Sequence, residues 1–205
     1  MRATAYLFAQ EVDEQVEALS NEDYHLRRGR AKLLLEELYP ISRLALHFKQ
    51  PGLRAEVEAF EDSSAADAHI QLTGFREQDF DVQVTCTHDA EEALRSELLV
   101  RDGWAPGAGP IHKKTKEVEA ELTAADYDGH VALVSTAIQD RFQQKQHAYS
   151  YGPNTILLIG FDEVRLSGRH YWSQLLAWLD RKLERSDKFL AVFLFNCATA
   201  ELRSW

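Results

Sequence analysis

The chain has only two cysteines in 205 residues. That is too few for a disulfide framework, and the pair has no zinc-ligand spacing. Cys86 and Cys197 both lie in apolar, strand-like stretches and read as buried free thiols of a cytoplasmic protein. No run approaches the roughly 18 apolar residues of a membrane-spanning helix, so no membrane partner is expected. The first residues, "MRATAYLFAQEVDEQV", carry a short apolar patch that turns acidic at once, unlike a secretory signal. Basic residues are scarce as well: 23 Lys and Arg stand against 33 Asp and Glu, a net charge of −10. Over the whole chain this balance argues against non-specific nucleic-acid binding, which needs a basic footprint. Internal repeats and low-complexity segments are absent. The one Pro/Gly-rich stretch, residues 103–110, reads as a surface loop rather than a linker. A single domain over 1–205 is the expectation.

What is present fits a soluble domain with a sizeable core: 45% of residues are hydrophobic and 27% charged. The charge is uneven. Between His25 and Arg54 seven basic residues, among them Arg27, Arg28 and Arg30, face only two acids, Glu36 and Glu37. A second basic cluster is "HKKTK", with Lys113, Lys114 and Lys116. These clusters, with Lys145 on a later helix, are candidate phosphate contacts, and they override the net charge only if they meet in space.

The pattern of elements predicts a helix from about Asn21, stopped by Pro40. "ISRLALHF" fits either a continued helix or a strand. Three strands follow with apolar residues at alternate positions: "LRAEVEAFED", "AHIQLTGF" and "FDVQVTCT". Short polar connections make them an antiparallel meander. Then come helices over "DAEEALRSELLVRDG" and "DGHVALVSTAIQDRFQQKQHAYSYGPN", and a wholly apolar strand "TILLIGF". The amphipathic helix "RHYWSQLLAWLDRKLERSD" and the apolar strand "FLAVFLF" complete the chain. Continuous apolar strands joined through helices imply a parallel portion covered on both faces. The fold class expected is α/β, a three-layer sandwich with a mixed sheet.

Asp67 opens the second meander strand and Asp81 lies on the third, with Gln83 two residues on along the same face. Two carboxylates converging there would form an oxygen-rich site for Mg²⁺ or Mn²⁺, able to activate water against a phosphodiester. The alternative reading of Asp81, Gln83 and Thr85 is the wet face of an antiparallel strand.

The series Asp67, then Asp81-Val82-Gln83, resembles the signature of the restriction-endonuclease-like, or PD-(D/E)XK, nuclease superfamily. There a helix precedes a three-stranded meander, an Asp begins the second strand, and an acid-X-Lys triplet lies on the third. A helix and a further strand follow. The resemblance covers about residues 24–161, leaving 162–205 as a C-terminal helix-strand extension. It implies a restriction-endonuclease-like core, metal-dependent cleavage of DNA, and an added acid from the first helix, for which Glu36 and Glu37 are the candidates. Many such domains act as homodimers. Here "SAAD" replaces the Pro-Asp pair, and Gln83 stands where the family more often has Lys. Lys145 or the "HKKTK" cluster is a candidate source of the missing cation. The competing expectation, which the acidic balance and Gln83 favour, is a catalytically inactive nuclease fold that binds a protein partner as an accessory factor.

Overall fold

The structure, a computed structural model, describes residues 2–61, 65–88, 90–106, 111–114, 117–120, 126–148, 151–163, 168–183 and 187–205. A short strand β1 (Arg2–Thr4) leads into helix α1 (Ala5–Glu17), capped where the Thr4 hydroxyl accepts from the Leu7 amide. Ala5, Phe8, Ala9 and Val12 fall on one stripe of α1 and are buried. Helix α2 (Asn21–Leu26) starts on Ser20, which accepts from the Asp23 amide, and ends on Arg27 in the left-handed conformation, φ 46°.

The predicted stop at Pro40 does not occur. Helix α3 (Arg30–Leu33) widens into a π-turn over Leu34–Leu38 and continues as α4 (Tyr39–Phe48). Proline supplies no N–H to the carbonyl four residues back, here Glu36, and its ring crowds that carbonyl. The wider turn relieves the clash, with the Tyr39 amide reaching back five residues to the Leu34 carbonyl. The helix survives because Leu34, Leu38, Ile41 and Leu44 are all buried in one core. "ISRLALHF" is therefore helical.

The meander is as expected: β2 (Leu53–Ala59), β3 (Ala68–Gly74) and β4 (Gln78–Cys86) pair antiparallel, with Val57 opposite Ile70 and Ile70 opposite Phe80. Helix α5 (Ala90–Asp102) follows and ends at Gly103, φ 75°. The "HKKTK" stretch is not all loop: β5 (Ile111–Lys114) and β6 (Glu117–Ala120) form a separate hairpin. Helix α6 (Tyr127–Ala148) leads to β7 (Thr155–Phe161), helix α7 (Arg169–Lys182) to β8 (Ala191–Asn196), and β9 (Glu201–Ser204) closes the edge. The main sheet has seven strands in the order β1-β2-β3-β4-β7-β8-β9. It is mixed: β4, β7 and β8 run parallel, and the rest pair antiparallel.

The two faces of the sheet are covered unequally. On one, α1, the π-turn and α4 pack along the meander and on to β8, through Phe8, Leu38, Ile70, Val82, Leu158 and Phe195. On the other, α6 and α7 bury Ile138, Phe142 and Leu175 against Leu157, Ile159 and Leu194 of β7 and β8. Residues of the second core come from β7 and β8 but not from the meander strands. That difference is why β7 is buried at every position while β2 and β3 alternate.

Candidate active site where β3 ends

The β3–β4 ladder stops at Asp67. Its amide donates to the Val82 carbonyl and its carbonyl accepts from Phe60, each at 2.9 Å. The next inward-facing amide on β4, that of Val84, has no strand residue opposite it. The Asp67 carboxylate takes that place, Oδ2 accepting from the Val84 amide at 2.6 Å. The same oxygen accepts from Gln83 Nε2. Gln83 is only 9% exposed, and its Nε2 also lies 3.3 Å from the Val84 carbonyl. Asp81 sits one rung away, opposite His69, with Nδ1 and Oδ1 3.0 Å apart, and its side chain is half exposed. Asp67, Gln83, His69 and Asp81 thus share one face, because paired residues and their i+2 neighbours do. The fold joins Asp67 to Gln83, and Asp81 to His69.

The end of β4 also lies against the π-turn, where the Glu36 carbonyl accepts from Cys86 Sγ at 3.2 Å. This brings Glu36 and Glu37 to the site, and they divide. Burial raises the Glu37 pKa, the Asp67 and Glu36 carboxylates raise it further, and Lys32 and Lys145 oppose. Burial also raises that of Asp67, against the Val84 hydrogen bond and Lys145. Glu36, raised mainly by burial, is instead held among Lys32, Arg27, Asp162 and Arg141. Glu37 therefore sides with Asp67, as the Leu33 face of the helix suggests. Lys145 is the cation felt by both acids.

The two basic clusters do meet. Arg28 lies 3.6 Å and Lys113 3.5 Å from the same carboxylate, that of Glu97 on α5. Other basic candidates are already paired, Arg27 with Asp162, and Arg30 with Glu61 at 2.7 Å and Gln15 at 3.0 Å. Lys114 is a residue of β5, and Lys116 lies outside the described residues. Sequence reasoning gave no site role to Arg141, Lys32 or Asp162. The first two carry a signal, since Arg141 precedes Lys145 by four residues and Lys32 precedes Glu36 by four, on shared helix faces. Asp162 carries none, being placed only by the end of β7.

Among the described residues no three His, Cys, Asp or Glu side chains stand close enough to enclose a metal ion. The metal-binding donors at the site are the two carboxylates, Asp67 and Glu37, with Gln83 presenting its Nε2 to Asp67. Such an all-oxygen set suits a hard cation that keeps several of its waters. Compared with known proteins, the chain matches no family model, no curated protein and no solved structure.

Proposed function

We propose that this chain is a metal-dependent nuclease on a restriction-endonuclease-like core, hydrolysing DNA phosphodiesters where β3 ends. One observation carries the reading: Asp67 from the sheet and Glu37 from the π-turn lie close enough that the Asp67 charge helps raise the Glu37 pKa, with Lys145 the cation that both feel. Like charges held together in a half-buried place are what a divalent cation relieves. The order of helix, meander, helix and parallel strand supports the same reading.

Asp67 and Glu37 would hold Mg²⁺ or Mn²⁺, which would acidify a water and bear charge from the phosphate, while Gln83 would orient Asp67 through its Nε2. The Glu37 oxygen not bound to metal would receive the proton of the attacking water. Lys145 holds a non-bridging phosphate oxygen and so fills the charge role left open by Gln83. Asp81 and His69, one rung out on the open face, meet the incoming backbone, and Arg28 with Lys113 steers it. Glu36 braces the turn that carries Glu37.

The test is cleavage of single- and double-stranded DNA with Mg²⁺, Mn²⁺ or EDTA, alongside thermal shift with metal alone. Wild-type protein is expected to cut only with metal, and Asp67→Asn and Lys145→Met to lose at least about 100-fold in rate. Metal at 100 times its Kd should stabilise the wild type by about 2.7 kcal/mol and Asp67→Asn by far less. Absence of both cleavage and metal stabilisation would overturn the proposal in favour of the accessory-factor reading.

A further inference from the structure

The chain's only two cysteines lie 111 positions apart in sequence, yet both thiols come to the same point on the sheet. Cys86 ends β4 and pairs with Gly160 of β7, while Cys197 follows β8 on the other side of β7. They meet over Gly160 because it has no side chain. A methyl group built there would lie 2.7 Å from Cys86 Sγ and 3.5 Å from Cys197 Sγ. Cys197 also lines a cavity of about 240 Å³ bounded by Tyr24, Arg27, Tyr39, Arg43 and Asp162, which gives a small oxidant a route to the pair.

We propose that Cys86 and Cys197 are an oxidative modification site, closed by hydrogen peroxide into a reversible intrachain disulfide that releases the π-turn bearing Glu36 and Glu37. Cys86 sulfur attacks peroxide: an S–O bond forms, the O–O bond breaks, and water leaves. Cys197 sulfur then attacks the sulfenic sulfur, forming S–S and breaking S–O, and its proton leaves with the hydroxide as a second water. Two thiols are oxidised and one peroxide is reduced to two waters. The hydrogen bond to Cys86, together with burial, holds the Cys197 thiol protonated, which leaves the first attack to Cys86, and Cys197 gives up that proton as it attacks in the second step.

Closure changes two things. The S–H that Cys86 donates to the Glu36 carbonyl disappears, and Pro40 has no N–H to replace it. The backbone must also move: strands flanking a common neighbour lie about 9–10 Å apart, beyond the roughly 7 Å limit for a disulfide. Cys197 is the first residue of the turn before β9, so that turn draws inward. A bond formed under such strain is easily reduced, as regulatory disulfides are. The consequence for cleavage rests on the nuclease reading, whereas the bond itself does not.

The experiment treats the full chain with hydrogen peroxide, then reduced glutathione. It reads intact mass, thiol alkylation in denaturant, and hydrogen exchange over residues 34–38. Expected is a loss of two hydrogens and of both alkylatable thiols, faster exchange in the π-turn, and reversal by glutathione. Cys86→Ser and Cys197→Ser should show none of this, and Gly160→Ala serves as a third variant if it folds. Two free thiols after peroxide, separate sulfinic or sulfonic products, or bonds only between chains would overturn the site. Unchanged exchange in the oxidised chain would overturn its effect on the turn. Cleavage that is present and insensitive to oxidation would overturn the regulation, whereas cleavage absent in both states would count against the nuclease reading alone.

Discussion

Replacing Asp67 by Ala removes one carboxylate oxygen that two donors share, the Val84 amide and Gln83 Nε2. A hydrogen bond to a charged acceptor contributes about 1.5–3 kcal/mol, and an abandoned buried donor loses a similar amount. Two such bonds set an upper range near 3–6 kcal/mol. Against this stands the cost of holding the charge, since burial raises the Asp67 pKa. The expected net loss at pH 7 is about 2–4 kcal/mol, which in a chain of this size lowers Tm by about 5–15 °C. Asp67→Asn keeps an oxygen for the Val84 amide and sheds the charge, so it should cost no more than about 1 kcal/mol. Urea unfolding followed by tryptophan fluorescence measures both. The pH dependence has a definite sign. A carboxyl whose folded pKa is raised contributes its full stability below its unfolded pKa, near 4, and loses it as pH rises through the folded value. Wild type should therefore gain on Asp67→Asn as pH falls from neutrality towards about 4. An Ala variant within about 0.5 kcal/mol of wild type, or an Asn variant as damaging as Ala, would refute the reasoning.

Two further substitutions test the surroundings. Lys145→Met removes the cation that holds down both Asp67 and Glu37, so the pH window in which wild-type stability is lost should move upward, read from the same unfolding series. Arg27 adopts a left-handed conformation and is paired with Asp162. Arg27→Ala loses the pair and keeps the strain, whereas Arg27→Gly loses both. Gly should be the more stable of the two by about 1 kcal/mol in calorimetry, and equal stabilities would show that the strain is negligible.

Much of the sheet was legible because burial writes itself into the period of the strands. Val57, Ile70 and Val82 alternate with polar residues where one face is open, and Ile156 to Phe161 do not alternate where both are covered. Strands β1 and β9, three and four residues long, are too short to display a period. The helix through Pro40 was hidden because tertiary burial of Ile41 and Leu44 outweighs a local penalty. At the site, sequence named Asp67, Gln83 and Glu37 but not their pairing. A slip of two residues between β3 and β4 would set Asp67 opposite Asp81 and keep every side chain on its own face. The hydrophobic pattern cannot separate these registers, and only the short turn from Gly74 to Gln78 does.

Two backbone interruptions converge on the last residues of β4. The end of β3 strands the Val84 amide, and Pro40 withholds a donor from the Glu36 carbonyl. Each is repaired by a side chain, the Asp67 carboxylate and the Cys86 thiol. The repairs fix those side chains in place, since a buried backbone group left unmet is costly. A residue so tied has little rotameric freedom, and preorganised chemistry needs that rigidity. The Asp67 carboxylate cannot swing away without leaving the Val84 amide unmet, and the Cys86 thiol cannot turn without leaving the Glu36 carbonyl unmet, so both side chains stay fixed at the end of β4.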